Sequence, residues 1–81
     1  MNVRVKLFAL TQDLAGCEEV SLEVEKPATI GMLRETLAKE LPALAPVLAS
    51  CAFAVNNEYA GNQRVLEASD EIACLPPVSG G

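Results

Sequence analysis

The residues with the plainest chemical meaning in this 81-residue sequence close it: Pro76-Pro77-Val78-Ser79-Gly80-Gly81. The Pro-Pro pair stiffens the exit from the apolar run before it, and six extended residues reach roughly 20 Å. Ser79, Gly80 and Gly81 carry small side chains or none, so the segment fits a channel too narrow for bulkier residues. Most C-terminal tails of this length are frayed ends. The stiff entry and the small-residue tip mark this one as a segment for insertion. The reactive group is then the α-carboxylate of Gly81, with a pKa of about 3.3 to 3.7, ionised and a poor electrophile at neutral pH. Transfer of AMP from ATP would turn it into an acyl adenylate open to a sulfur or nitrogen nucleophile. Neither GxGxxG nor GxxxxGK[ST] occurs in the chain, so the ATP-using step is assigned to another protein and no bound cofactor is expected here.

The other reactive side chains are Cys17, Cys51 and Cys74, an odd set without a CxxC pair in a chain that has no His. A zinc site and a disulfide framework are therefore not expected. Lack of His also removes the commonest general base and the usual activator of a Ser or Cys nucleophile. Cys74 shares the alternation of Ile72, which predicts a small buried core residue, and no cationic cluster adjoins any of the three thiols in sequence.

The elements that must position the tail are legible as periodicities. Val3, Val5, Leu7 and Ala9 alternate with Arg4, Lys6, Phe8 and Leu10, predicting a strand from Asn2 to Leu10. Thr11 to Gly16 reads as a turn that Thr11 caps and Gly16 ends in a left-handed conformation. Val20, Leu22 and Val24 define a second strand with an acidic outer face, paired with the first. Thr29 is the expected N-cap of a helix over Ile30 to Leu41 that buries Ile30, Leu33, Leu37 and Leu41 and turns Arg34, Glu35, Lys39 and Glu40 to solvent. Glu35 and Lys39 have favourable i,i+4 spacing, and Pro42 stops the helix.

After a short turn over Leu44 to Ala49, Cys51 to Val55 reads as a buried strand. Asn56-Asn57 is its hairpin turn, and the return strand runs through Tyr59. Gly61-Asn62-Gln63 is a turn, Val65-Leu66 a short apolar element, and Ala68 to Glu71 a polar turn. Ile72 to Leu75 is the last strand, uncharged as expected of one with neighbours on both sides, and Pro76-Pro77 ends it. The order predicts an α+β layer, a mixed sheet packed on one main helix, with a β domain over 1–75 and a flexible tail over 76–81.

Composition narrows the function classes. With 51% hydrophobic and 21% charged residues, the chain is one soluble domain. Six Lys and Arg against eleven Asp and Glu leave a net charge of -5, the wrong sign for a phosphate backbone, so no nucleic acid is expected as a partner. The first residues do not form a signal peptide, and Leu41 to Val55, the longest uncharged run, contains Pro42 and Pro46 and is too short for a membrane span. Reduced thiols and no export signal predict a cytoplasmic protein with no membrane partner.

The run Asp70-Glu71-Ile72-Ala73-Cys74-Leu75-Pro76-Pro77-Val78-Ser79-Gly80-Gly81, with Ala54-Val55-Asn56 upstream and Val5-Lys6-Leu7-Phe8-Ala9 at the start, resembles the small sulfur-carrier subunit of molybdopterin synthase over the whole chain. Cys74-Leu75 departs from relatives that have bulkier residues there. The resemblance implies a ubiquitin-like β-grasp fold and a chain that is not catalytic alone. It implies an E1-like adenylyltransferase that uses ATP to adenylate Gly81, and a sulfurtransferase that replaces AMP to leave a C-terminal thiocarboxylate. It further implies a large catalytic subunit in which the tail, Pro76, Pro77, Val78, Ser79 and Gly80, delivers sulfur to cyclic pyranopterin monophosphate to form the molybdopterin dithiolene. The family assembles as a heterotetramer. Phe8 and Leu75, facing away from the core, together with Tyr59, are the expected partner-binding residues, with Arg4 and Lys6 at the rim. The alternatives are a sulfur carrier for thiamin or tRNA thiolation, a ubiquitin-like protein modifier, or a non-covalent binding module.

Overall fold

A computed structural model describes residues 1–77. Its order is β1 (Asn2–Leu7), α1 (Leu10–Ala15), β2 (Glu19–Glu23), α2 (Ile30–Glu40), a 3-10 turn (Pro42–Leu44), α3 (Ala45–Leu48), β3 (Ala52–Val55), β4 (Glu58–Ala60) and β5 (Ile72–Leu75). The five strands form one sheet in the order β2-β1-β5-β3-β4. β1 and β5 run parallel, and the other neighbours run antiparallel. The last strand therefore lies at the centre, as its uncharged sequence predicts. No helix among the described residues is long and apolar enough to cross a membrane.

One face of the sheet packs on α2. Val3, Val5, Leu7, Phe53, Val55, Ile72 and Cys74 meet Ile30, Leu33, Leu37, Leu44 and Leu48 in one buried cluster. Leu41 is only half-buried, because it stands at the end of α2 as its C-cap. Thr29 caps the helix as expected, its Oγ1 accepting the Met32 N–H at 3.3 Å. The next two N–H groups are taken by the 61–66 segment, Ile30 donating to the Arg64 carbonyl and Gly31 to the Asn62 carbonyl, both at 3.0 Å. A Cβ on Gly31 would come within 3.3 Å of both the Cβ and the carbonyl oxygen of Asn62, so this close approach depends on glycine. Val65 forms only an isolated bridge to Thr29, while Leu66 is buried. Asn56 and Asn57, at φ 53° and 69°, make the expected two-residue hairpin turn.

Four expectations need correction. β1 stops at Leu7, three residues early, because Ala9 adopts φ 51° and ψ -125° and turns the chain into a real, if short, helix. Thr11 is not the cap of that helix. It is wholly buried inside it, its Oγ1 accepting the Phe8 N–H at 3.1 Å and donating to the Phe8 carbonyl at 2.7 Å, while Gly16 ends the helix at φ 75° as expected. Arg34 does not face solvent. Its guanidinium donates to the carbonyls of Leu48 and Cys51 and to Asn62 Oδ1, and stacks 4.8 Å from the centre of the Phe53 ring. The Leu48 carbonyl, at the end of the short α3, also accepts the Cys51 N–H at 3.1 Å, and Arg34 adds a charged donor there and at the Cys51 carbonyl beyond it. Glu35 and Lys39 form no ion pair.

Candidate functional site

Alternation along β5 separates its two roles. Ile72 and Cys74 are buried, whereas Ala73 and Leu75 point to the other face and are half-buried. Register extends that outer face across the sheet. Glu19, Lys6, Ala73, Ala54 and Tyr59 occupy successive strands in one row, and Leu75 and Ala52 lie in the next. Phe8 follows the Leu7–Cys74 pair, the last of the β1–β5 register, and lines a hollow with Lys6, Gln12, Glu18 and Glu19. It is 43% exposed, and Tyr59, on the far edge strand, is 80% exposed.

Of the residues expected to bind a partner, the structure places Leu75 in the outer-face register and Phe8 just past the end of β1, beside the hollow that Lys6, Gln12 and Glu19 also line. It sets Tyr59 apart across a floor of alanines, Ala52, Ala54 and Ala73. Such a floor is flat, since alanine carries only a methyl group. The β1–β2 half of the same face is charged. Arg4 pairs with Glu19 at 3.9 Å, and the Met1 ammonium with Glu23 at 3.5 Å. A hollow of about 480 Å³ separates Arg4 and Lys6 from the 68–71 turn.

β5 ends at Leu75 and leads into Pro76, half-buried, and Pro77, exposed. Val78, Ser79, Gly80 and Gly81, the tip on which the expected chemistry falls, lie outside the described residues. The strand that launches the tail is nevertheless held on both sides, by β1 and by β3, so its exit point is fixed by two ladders.

The two buried thiols, Cys51 and Cys74, offer no competing chemistry. Burial pushes the Cys74 thiol up from 9.0 to about 12, with adjacent Cys51 acting in the same direction and Arg34 and Thr11 only partly opposing it. Cys74 is therefore a protonated core group and a poor nucleophile. Cys51 is likewise buried, its Sγ directed to the Val47 carbonyl at 3.3 Å. Among the described residues no three His, Cys, Asp or Glu side chains gather as a metal site.

Sequence reading missed the apolar surface of α1. Leu10 and Leu14 are 47% and 40% exposed, close in sequence to Phe8. Their i,i+4 spacing was the available signal, hidden when Leu10 was assigned to the first strand.

Comparison with known proteins agrees with this arrangement. The model of the ThiS family matches residues 5–81. The chain is 38% identical to the molybdopterin synthase sulfur carrier subunit of Chlamydomonas reinhardtii, with 100% of each covered. Among solved structures it is similar to small archaeal modifier protein 1 of Haloferax volcanii, at 32% identity and TM-score 0.88 with 100% of each chain covered. It is also similar to a protein–protein complex of subunits 1 and 2 of the molybdopterin-converting factor of Helicobacter pylori 26695, at 29% identity and TM-score 0.70, again over 100% of each chain. These likenesses bear out the ubiquitin-like β-grasp.

Proposed function

The chain belongs to the ThiS family, among its molybdopterin synthase sulfur-carrier members, and on that premise we propose that it carries one sulfur atom on the carboxyl group of Gly81. The observation that supports this most is the reach of the family match, which extends through the Gly-Gly end to residue 81.

The chemistry is written in three steps. The Gly81 carboxylate attacks the α-phosphorus of ATP on an E1-like adenylyltransferase, and pyrophosphate leaves. Hydrosulfide-level sulfur then adds to the acyl carbon, its C–S bond forming as the C–O bond to AMP breaks, and loss of the sulfur's proton leaves a thiocarboxylate. Inside the large catalytic subunit that sulfur bonds to a carbon of cyclic pyranopterin monophosphate, and water cleaves the acyl–sulfur bond to restore the carboxylate of Gly81. A dithiolene holds two sulfurs and one tail delivers one, so each molybdopterin consumes two loaded carriers, in keeping with a heterotetramer of two small and two large subunits. The domain over 1–75 anchors, the tail over 76–81 delivers, and general acid and base groups belong to the large subunit. The setting is the cytoplasm.

Phe8, Leu75 and Tyr59 seat the chain on its partners through the outer sheet face. Support comes from the exposure of Phe8 and Tyr59, from the half-buried Leu75 on the outer sheet face, and from the similarity to a subunit that is solved in complex with a second one. Deleting Gly81 should abolish sulfur delivery while leaving the melting temperature unchanged. Full activity in that variant would overturn the proposal. Phe8→Ala and Leu75→Ala should each weaken binding of the large subunit by about 1 to 3 kcal/mol.

A second reading, protein modification, draws on the likeness to small archaeal modifier protein 1. There the nucleophile is a lysine amine instead of sulfur, and the product an isopeptide. High-mass adducts in cell extract that vanish on deletion of Gly81 would support it. Thiamin or tRNA thiolation would differ only in the receiving enzyme, which capture of partners from the source cell identifies.

A further inference from the structure

The outer face of the sheet divides into a charged half, β2 and β1, and a small or apolar half, β5, β3 and β4. Lys6 stands on the boundary, with Glu19 as its register partner on β2 and Ala73 on β5. The carboxylates of β2 already have partners on β1. Glu19 pairs with Arg4 at 3.9 Å, and Glu23 holds the Met1 ammonium at 3.5 Å and accepts the Asn2 amide at 3.1 Å. Glu71, just before β5, lies one register step back, beside Arg4. Arg4 is thus flanked by two acids, while Lys6 is exposed and forms no ion pair among the described residues. Its register partner on β5 is Ala73, and it lines the same hollow as Arg4, Glu19, Asp70 and Glu71 without an ion pair to any of these acids.

We propose that Lys6 receives a carboxylate from the protein that docks on the outer face, and that this contact helps to select the partner. The inference rests on the docking reading above. A surface seated on Phe8, Leu75 and Ala73 reaches the neighbouring strand as well, because strands lie only about 4.8 Å apart. Its edge strips water from Lys6, and an ammonium that loses water without gaining an acceptor opposes binding. Glu19 is held by Arg4, Asp70 by Asn56 and the Glu67 N–H, and Glu71 lies beside Arg4, so the acceptor comes from the partner. A carboxylate answers both the charge and the hydrogen-bonding need, whereas a basic residue at that spot is repelled, which is how one charge discriminates between surfaces. The rest of the chain reinforces the choice. At a net charge of -5 it repels acidic surfaces in general, so a carboxylate is favoured where it meets a cation such as Lys6.

The test is titration calorimetry with the large molybdopterin synthase subunit encoded by the same genome, using the wild type, Lys6→Met, Lys6→Arg, Lys6→Glu and Phe8→Ala. Lys6→Met keeps the apolar stem and removes the charge, so it should raise Kd about tenfold or more. Lys6→Glu should raise it further, and Lys6→Arg should stay within about threefold of wild type. Raising salt from about 0.05 to about 0.5 M should weaken the wild type and leave Lys6→Met nearly unaffected. Because Lys6 is exposed, melts of all variants should match the wild type. If Phe8→Ala weakens binding and Lys6→Met does not, the proposal fails and the docking face stands. If neither variant differs from wild type, or the wild type does not bind, the docking reading fails and takes the proposal with it.

Discussion

The two faces of the five-stranded sheet are made by the same strands and obey opposite rules. On the helix-covered face Val5, Val55 and Cys74 expose nothing, and Phe53 only 1%. On the other face the same strands present Lys6, Ala54, Ala73 and Tyr59. The first face uses volume, since every side chain fills space against α2. The second uses flatness and a few projecting groups. Stability therefore depends on residues that no partner would touch, and recognition on residues that the fold barely needs.

The largest expected effect tests that division in one pair of variants. Phe53→Ala should cost about 3 to 5 kcal/mol, because it empties the core and removes the ring under Arg34. Tyr59→Ala, on the opposite face, should change stability by less than about 0.5 kcal/mol. Urea denaturation of both measures the contrast, and comparable losses would break it.

A second contrast lies within β5. Cys74 keeps its proton to about pH 12 in the folded chain, whereas an unfolded cysteine releases it near pH 9. The unfolded state therefore binds fewer protons in that window, and stability falls as pH rises from about 9 toward 12, by at most about 1.4 kcal/mol per pH unit. Below pH 9 both states are protonated and Cys74 adds no slope. Cys74→Ala should be flatter across the window, and an equal slope would show that other groups cause it.

Smaller effects belong to the backbone that frames the faces. Thr29→Ala removes the side-chain cap of α2 and should cost about 1 kcal/mol in thermal or chemical denaturation. Ala9→Gly should act in the opposite sense. With φ at 51° and ψ at -125°, Ala9 occupies a conformation that glycine adopts freely, so the substitution should stabilise by up to about 1 kcal/mol. A loss at Ala9→Gly would show that the bend beside Phe8 carries no strain.

What was legible in the sequence followed from period. Alternation over Ile72 to Leu75 marked the buried central strand and its split into two faces, and Thr29 and Pro42 bounded α2. Phe8 and Leu75 were assigned to the outer face by the same alternation. What escaped depends on contacts distant in sequence. Arg34 lies on a face that helical spacing makes solvent, and only the fold of residues 48–51 over it supplies carbonyls for its guanidinium. Thr11 looked like a cap because it precedes a short polar run, but the bend at Ala9 moves the helix start ahead of it. That bend has no propensity signal, since alanine disfavours it.

The most direct test of the account is the intact mass of the chain isolated from its own cells, followed by mass analysis of its C-terminal peptide. The account predicts a fraction heavier by the difference between one sulfur and one oxygen, located on Gly81 and absent when Gly81 is deleted. A chain with no such fraction in cells that make the cofactor, or one heavier by a whole added sulfur on Cys17, Cys51 or Cys74, would contradict it.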